Sequence, residues 1–302
     1  MKNKKLKIWL QAFRLRTLPL AISSAILGSF LAYSYGEFRW IILVLATLTT
    51  TFLQILSNLA NDYGDAVSGA DNNNRLGPER VTQSGKVNRK EMRNMIRLFV
   101  ILSLVSGTIL IFTGLNNLPV KYILLFFLLG LSAIYAAIKY TVGDKPYGYR
   151  GFGDIFVFIY FGIVGVAGTY YLHTHTFHFP ILLPASAIGF FSAGVLNINN
   201  LRDIVSDNES GKRTIVVKLG LQYAKIYHAL LIGLAVILSI IYTILYYNSA
   251  FQLLFLVTVP LFFLNVIAVF NYKMPIDLNK ELKKLALSIF AFALTFGLGL
   301  IL

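Results

Sequence analysis

Apolar residues run along this chain in blocks too long for the core of a soluble domain, and short polar stretches punctuate them. A helix that crosses a bilayer needs about 20 mostly apolar residues. On that rule nine segments qualify: 17–35, 40–61, 95–115, 119–139, 152–172, 180–201, 225–247, 251–270 and 283–302. Pro19, Pro119 and Pro180 fall in the first turns of their segments, where a missing N–H costs nothing. Ahead of the first span, residues 1–16 mix lysines with apolar positions and predict an interfacial segment, its helical part (6–16) anchored by Trp9. Arg14 and Arg16 interrupt what would otherwise pass for the apolar region of a signal peptide, and no small-residue cleavage site follows. The pattern predicts an all-α, polytopic membrane protein, one domain over 1–302, with long polar loops at 62–94 and 202–224.

Composition agrees. Of 302 residues, 57% are hydrophobic and only 13% charged, with a mean hydropathy of +0.69; a soluble domain cannot hide that much apolar surface. With no cysteine, disulfides and thiolate metal sites are excluded. A net charge of +14 would suggest nucleic acid in a soluble protein, but its placement points elsewhere. Of 27 Lys and Arg, all but Arg39 and Lys121 fall in the N-terminal segment and in the loops after the second, fourth, sixth and eighth spans. The positive-inside rule therefore predicts that the N-terminus and those loops are cytoplasmic. Of 13 Asp and Glu, only Glu37 lies on the other side.

Two polar stretches interrupt this pattern at span ends. In Asn58-Leu-Ala-Asn61-Asp62-Tyr63-Gly64-Asp65, a continuing helix places Asn58, Asp62 and Asp65 on one narrow face. In Asn199-Asn200-Leu-Arg202-Asp203-Ile-Val-Ser-Asp207, the positions Asn200, Asp203 and Asp207 repeat the arrangement. The two stretches stand four spans apart, each followed by a Gly-Lys pair near a threonine, so a four-helix repeat would set them on opposite walls of one central cavity. Asn and Asp also cap helix ends, but that does not account for two such faces on one side. Acidic residues at membrane depth suggest a functional site. An oxygen-only donor set without His or Cys suits a hard divalent cation, and Mg²⁺ is usually held by a few carboxylates plus phosphate oxygens. Asn58 and Asn200 add neutral oxygens. Arg75, Arg80, Lys86, Lys145, Arg150, Arg202, Lys212 and Arg213 share the same loops, and Arg grips phosphate oxygens bidentately. Lys145 and Arg150 stand out because they lie in a glycine- and tyrosine-rich loop, Gly143 to Gly151. The run His173, His175, His178 lies on the far side with no acid near it and reads as a solvated or headgroup-facing loop. Gly162, Gly165 and Gly168 read as close-packing positions.

On these residues the chain resembles the UbiA superfamily of intramembrane aromatic prenyltransferases. Asp203-x-x-x-Asp207 matches the second of its two Asp-rich motifs. The first departs from the usual N-x-x-x-D-x-x-x-D, because the acid after Asp62 is Asp65, with Ala66 at the usual position. That form, with Gly77-Pro78-Glu79-Arg80-Val81-Thr82-Gln83-Ser84-Gly85 and Asn199-Asn200-Leu-Arg202-Asp203, looks like the dihydroxynaphthoate branch of menaquinone synthesis. The resemblance implies nine helices around a central cavity. It also implies a transfer of a polyprenyl group from polyprenyl diphosphate to 1,4-dihydroxy-2-naphthoate, with loss of CO₂ and diphosphate. Asp62, Asp65, Asp203 and Asp207 would then hold Mg²⁺, with Lys145, Arg150 and Arg202, followed by Arg80 and Lys212, on the leaving diphosphate. Tyr63 and Tyr149 are candidates for removing a phenolic proton. The expected setting is the bacterial cytoplasmic (inner) membrane, with the active site facing the cytoplasm and membrane lipid around it. The competing readings are a 4-hydroxybenzoate, haem or lipid-ether prenyltransferase of the same superfamily and, in another class, a secondary transporter with a carboxylate ion site. Transporter sites lie near the bilayer midplane on broken helices, whereas these acids cluster at one end beside basic loops.

Overall fold

The computed structural model describes residues 2–69 and 76–302, so Arg75 lies outside the described residues. Among these residues every regular element is helical: α1 (Lys2–Phe13), α2 (Leu18–Ser34), α3 (Trp40–Ser68), α4 (Arg89–Leu115), α5 (Val120–Lys139), α6 (Gly153–Thr174), α7 (Leu182–Arg202), α8 (Ile204–Glu209), α9 (Ile215–Leu245), α10 (Ala250–Asn271) and α11 (Leu278–Ile301), with short 3₁₀ turns at several joints. Nine of them are long and apolar enough to cross a membrane, α1 and α8 being the exceptions. All nine predicted spans are present.

The ends of the elements differ from the prediction where chemistry depends on them. Helix α3 continues to Ser68 and stops only at Gly69, which adopts the left-handed conformation (φ 72°) that caps a helix C-terminus. Asp62 and Asp65 therefore stand on helix, and helix takes up both ends of the expected loop 62–94, as far as Ser68 and again from Arg89. The next helix starts where Asn88 accepts the Glu91 N–H while Glu91 reaches back to the Asn88 N–H. The expected loop 202–224 likewise shrinks. It holds α8, and α9 begins at Ile215, capped by the Thr214 hydroxyl. A break at Gly220 (φ 74°) lets α9 enter the bundle at a new angle.

Three apolar clusters hold the bundle, the smallest of them around Ile42, Leu110, Ile111 and Leu115; the other two flank the site. The larger joins α2, α6, α7, α9, α10 and α11 around a stack of aromatic rings, in which Phe191 and Phe262 lie parallel with centroids 4.2 Å apart. The smaller packs α1 and α4 on α3 around Leu56, Leu59, Met92 and Phe99. Between them runs a cavity of about 340 Å³. Its wall includes an unusual stretch of α6: Phe158–Gly168 is wound as a π-helix. Such turns are rare and concentrate at functional sites.

Candidate active site

The charged side chains of the cavity wall gather at one end. Asn58, Asn61 and Asp65 line that mouth from α3, and Asn199, Asn200 and Asp203 line it from the end of α7. Helix α7 stops because Asp203 leaves helical geometry (φ −97°, ψ 9°), and α8 restarts at once with Asp207 in its first turn. Gly211 (φ 76°) then turns the chain back, so that the Lys212 N–H donates to the Asp207 carbonyl at 2.8 Å. The ammonium of Lys212 thereby lies 2.9 Å from Asp65 Oδ1 and 3.6 Å from Asp207 Oδ1, joining the two aspartate stretches. Asp65 is also paired with Arg80 and accepts the Tyr149 hydroxyl at 2.5 Å. The Lys212 ammonium sits 4.7 Å from the Tyr149 ring centroid, a cation–π distance. Burial pushes the Asp207 carboxyl up to about 6; Lys212 pulls it back, and the carboxylates of Asp203 and Asp65 push it further up. Burial, then the charge of Asp65, lifts the Tyr149 phenol well above its usual range, so it stays a hydrogen-bond donor.

Asp62 and Asp65 divide the work of the first motif. Three residues apart on a helix, they diverge by about 60°, and Asp62 turns off the cavity. Its Oδ2 accepts the Val81 N–H and its Oδ1 the Thr82 N–H, both at 3.1 Å. This clasp fastens the loop after α3 and delivers Arg80, the residue just before it, to Asp65. Asn58 is fastened too: its Nδ2 donates to the Phe13 carbonyl and to Thr17 Oγ1, each at 3.0 Å. It thus pins the joint between α1 and α2.

Of the expected site residues, the cavity brings together Asn58, Asp65, Arg80, Asn200, Asp203, Asp207 and Lys212. Arg202 is buried behind it, with Nε 2.9 Å and Nη2 2.5 Å from the two oxygens of Asp203 and with further bonds to Asn199 and Asn279. It orients a carboxylate and has no face on the cavity. Lys145 and Arg150 are exposed, because the glycine-rich loop directs Tyr149 inward and leaves its cations outside. Arg14 and Tyr140 line the mouth and were missed. The signal for Arg14 was its place at the joint between an interfacial helix and the first span, where it takes up a left-handed conformation (φ 51°). The histidine run is only partly the solvated loop expected, since His178 is exposed and His175 half-buried. His173 is buried, its Nδ1 accepting the Arg39 N–H at 3.1 Å and its Nε2 2.9 Å from Ser29 Oγ, and it ties the far end of α6 to α2 and α3.

The sequence profile of the UbiA prenyltransferase family matches residues 21–299. The chain belongs to this family. It is 41% identical over its whole length to the 1,4-dihydroxy-2-naphthoate octaprenyltransferase of Haemophilus influenzae, 98% of which is covered. It is also 41% identical, over 97% of its length and 95% of the relative, to the enzyme of that name from Escherichia coli. Among solved structures, a UbiA homolog from Archaeoglobus fulgidus bound to GPP and Mg²⁺ superimposes with a TM-score of 0.65 at 17% identity, covering 97% of this chain and 99% of that one. The protein is therefore an integral membrane protein of the UbiA fold.

The donor set of this UbiA chain suits Mg²⁺. Asp65, Asp203 and Asp207 offer hard oxygens from two sides of the mouth, and the Asp207 carboxyl, pushed up by burial and then by its acidic neighbours, gains from any added positive charge. Among the described residues no group of three acidic or histidine side chains is close enough to hold an ion alone. A cation here needs oxygens from its ligand as well, as Mg²⁺ commonly does with phosphates.

Proposed function

We propose that this protein transfers a polyprenyl group from polyprenyl diphosphate to 1,4-dihydroxy-2-naphthoate, releasing diphosphate and CO₂ and giving demethylmenaquinol, the menaquinone precursor. The observation that carries this reading is the division of one cavity. Carboxylates and cations crowd its mouth, where a metal-bound diphosphate fits, and an apolar channel lies below, where an isoprenoid tail fits. The two 41% identical relatives support the naphthoate as acceptor.

Asp65, Asp203 and Asp207, with Asn200 beside them, are the residues that would hold Mg²⁺ together with diphosphate oxygens. The ion, when bound, offsets charge on the departing diphosphate. Arg80 and Lys212 face the same region and stabilise the leaving group from the protein side. Asp62 holds the Arg80 loop, Arg202 holds Asp203, and Asn58 holds the entry joint. The allylic C–O bond breaks with its electron pair leaving on diphosphate. The electron-rich ring carbon supplies the pair for the new C–C bond, and loss of CO₂ restores the aromatic ring. Apolar walls keep out the water that would quench the allylic cation. The skew of Lys and Arg supports a mouth that opens, with the interfacial segment 1–16 and the loops within 62–94 and 202–224, to the cytoplasmic face of the bacterial inner membrane.

The test uses purified protein in detergent with Mg²⁺, a polyprenyl diphosphate and either 1,4-dihydroxy-2-naphthoate or 4-hydroxybenzoate. Product is followed by mass, and CO₂ release is measured. The reading requires a decarboxylated prenyl-naphthoquinol from the first acceptor, lost on chelation of the metal and in Asp65→Ala. Product from hydroxybenzoate alone moves the acceptor; no metal-dependent product from either refutes the assignment.

A further inference from the structure

Most glycines of this bundle exist because a neighbouring helix leaves no room for a side chain. A Cβ on Gly162 would lie 2.6 Å from the Ala185 carbonyl oxygen, and one on Gly165 would lie 2.8 Å from Ser24 Cβ. Three glycines on the cavity wall do not follow this rule. At Gly130 of α5 a Cβ would meet nothing within 4 Å; at Gly107 of α4 it would lie 3.6 Å from Thr49 Cγ2; at Gly168 of α6 it would lie 3.8 Å from a Phe126 ring carbon. All three line the cavity. Gly168 is thus not the close-packing position its sequence suggested. Glycine costs a helix interior about 1 kcal/mol relative to alanine, and here no packing need offsets that cost. The space the missing side chains leave belongs to the cavity.

The depth of the channel gives that space a role. Cavity-lining positions on α3 run from Asp65 down to Ala46, nineteen residues or about 28 Å of helix. On α5 they run from Tyr140 at the mouth past Gly130, about 15 Å down, to Phe126, about 21 Å down. Leu172, Ile111 and Phe126 line the channel beyond, with Phe126 stacked on Tyr171 at 5.5 Å. An isoprene unit adds four backbone bonds of about 1.5 Å, roughly 4–5 Å of extended length. A tail descending from the mouth therefore reaches Gly130 at about its third unit and the end of the channel at about its sixth.

We infer that Gly107, Gly130 and Gly168, beginning about 15 Å down at Gly130, open a stretch of the lower channel (the waist) through which the donor tail passes, and that bulk there sets the longest donor the enzyme accepts. This rests on the transfer reaction proposed above. Geranyl diphosphate, with two units, ends short of the waist, whereas octaprenyl diphosphate must thread it.

The experiment compares wild type, Gly130→Leu, Gly107→Leu and Gly233→Leu with both donors, saturating Mg²⁺ and 1,4-dihydroxy-2-naphthoate. Gly233 on α9 also has open space around it but does not line the cavity, so its variant reports the general cost of a leucine. The expected result is a fall of about tenfold or more in the octaprenyl-to-geranyl ratio of kcat/KM in each waist variant. Geranyl transfer stays within about twofold, and Gly233→Leu leaves the ratio unchanged. An unchanged ratio in the waist variants overturns the inference, as does an equal loss on both donors in folded protein. Should one waist variant not fold, the other, on a different helix, gives the answer. If wild type makes no product from either donor, the transfer assignment fails instead. The waist is then tested by thermal stabilisation: octaprenyl diphosphate must stabilise wild type and not Gly130→Leu, while geranyl diphosphate stabilises both.

Discussion

Gly64, between Tyr63 and Asp65, decides whether the mouth can assemble. It lies inside α3, where alanine should be better than glycine by about 1 kcal/mol. Its surroundings reverse that sign. A Cβ there would lie 2.6 Å from Thr141 Oγ1 and 2.7 Å from the Thr141 carbonyl oxygen, and the carbonyl is backbone that cannot rotate away. Thr141 Oγ1 shares its one proton between the Ala60 carbonyl at 3.0 Å and Asn61 Oδ1 at 3.2 Å, so a displaced Thr141 loses that bond. Overpacking costs about 1–3 kcal/mol, and the lost hydrogen bond about 0.5–1.5 kcal/mol. Less the helix gain, Gly64→Ala should destabilise by about 0.5–3.5 kcal/mol. At about 2–4 °C per kcal/mol, the apparent Tm in detergent falls by about 1–14 °C. The segment that starts at Thr141 carries Tyr149, so its bond to Asp65 loosens and prenyl transfer falls as well. Gly233→Ala, at an uncrowded helical position, serves as the control and should match or exceed wild type. If Gly64→Ala melts with wild type and turns over normally, close approach at Thr141 does not build the site.

Lys212→Ala should lower kcat/KM about 10²-fold or more, since it removes the cation shared by Asp65 and Asp207; Lys145→Ala, at an exposed position off the cavity, should stay within about threefold. Steady-state kinetics on both variants decides, and equal losses would refute the placement of these cations. The raised Asp207 carboxyl predicts a pH-dependent cost of ionisation. Its protonated form favours folding below pH 4, and that contribution disappears as pH rises through about 6. Asp207→Asn should therefore melt above ligand-free wild type at pH 8, by up to about 3 kcal/mol, with the gap closing near pH 4; a constant gap contradicts it. Asp62→Ala leaves the buried Val81 N–H and the Thr82 N–H without their acceptor, so limited proteolysis should cut within 76–88 faster than in wild type or Asp65→Ala. Equal cleavage rates in all three would remove the clasp.

Much of this was legible because membrane helices leave few choices. Apolar length fixed the nine spans, and helical periodicity put Asn58, Asp62 and Asp65 near one face, as found. The same periodicity could not tell Asp62 from Asp65, since the difference lies in where the loop returns. Val81 and Thr82 are nineteen and twenty residues further on, and nothing local announces that their N–H groups meet Asp62. Arg202 and Lys212 looked alike as cations beside aspartates. They part because α7 breaks at Asp203, which turns Arg202 into the wall, whereas Gly211 turns Lys212 back over the mouth. Gly165 and Gly168 looked alike for the same reason; only the packed helices show that one meets Ser24 and the other meets the cavity. Nor did any residue pattern announce the π-helical stretch of α6.

The pairing at the mouth explains how three carboxylates survive burial near membrane depth. Asp65, Asp203 and Asp207 are each at most 7% exposed, and Arg80, Lys212 and Arg202 face them one for one. A buried charge without a partner costs several kcal/mol, so these cations are the condition for keeping the acids in place before a ligand arrives. They differ in what they can do afterwards. Arg202 is held by four hydrogen bonds, two to Asp203 and one each to Asn199 and Asn279, and stays with its carboxylate. Arg80 and Lys212 line the cavity, so they can turn from carboxylate to phosphate oxygens once other positive charge satisfies the acids. The same two side chains therefore stabilise the empty site and grip the leaving group in the filled one. That dual role is why Lys212→Ala should damage both stability and turnover, whereas the loss of Lys145 should touch neither.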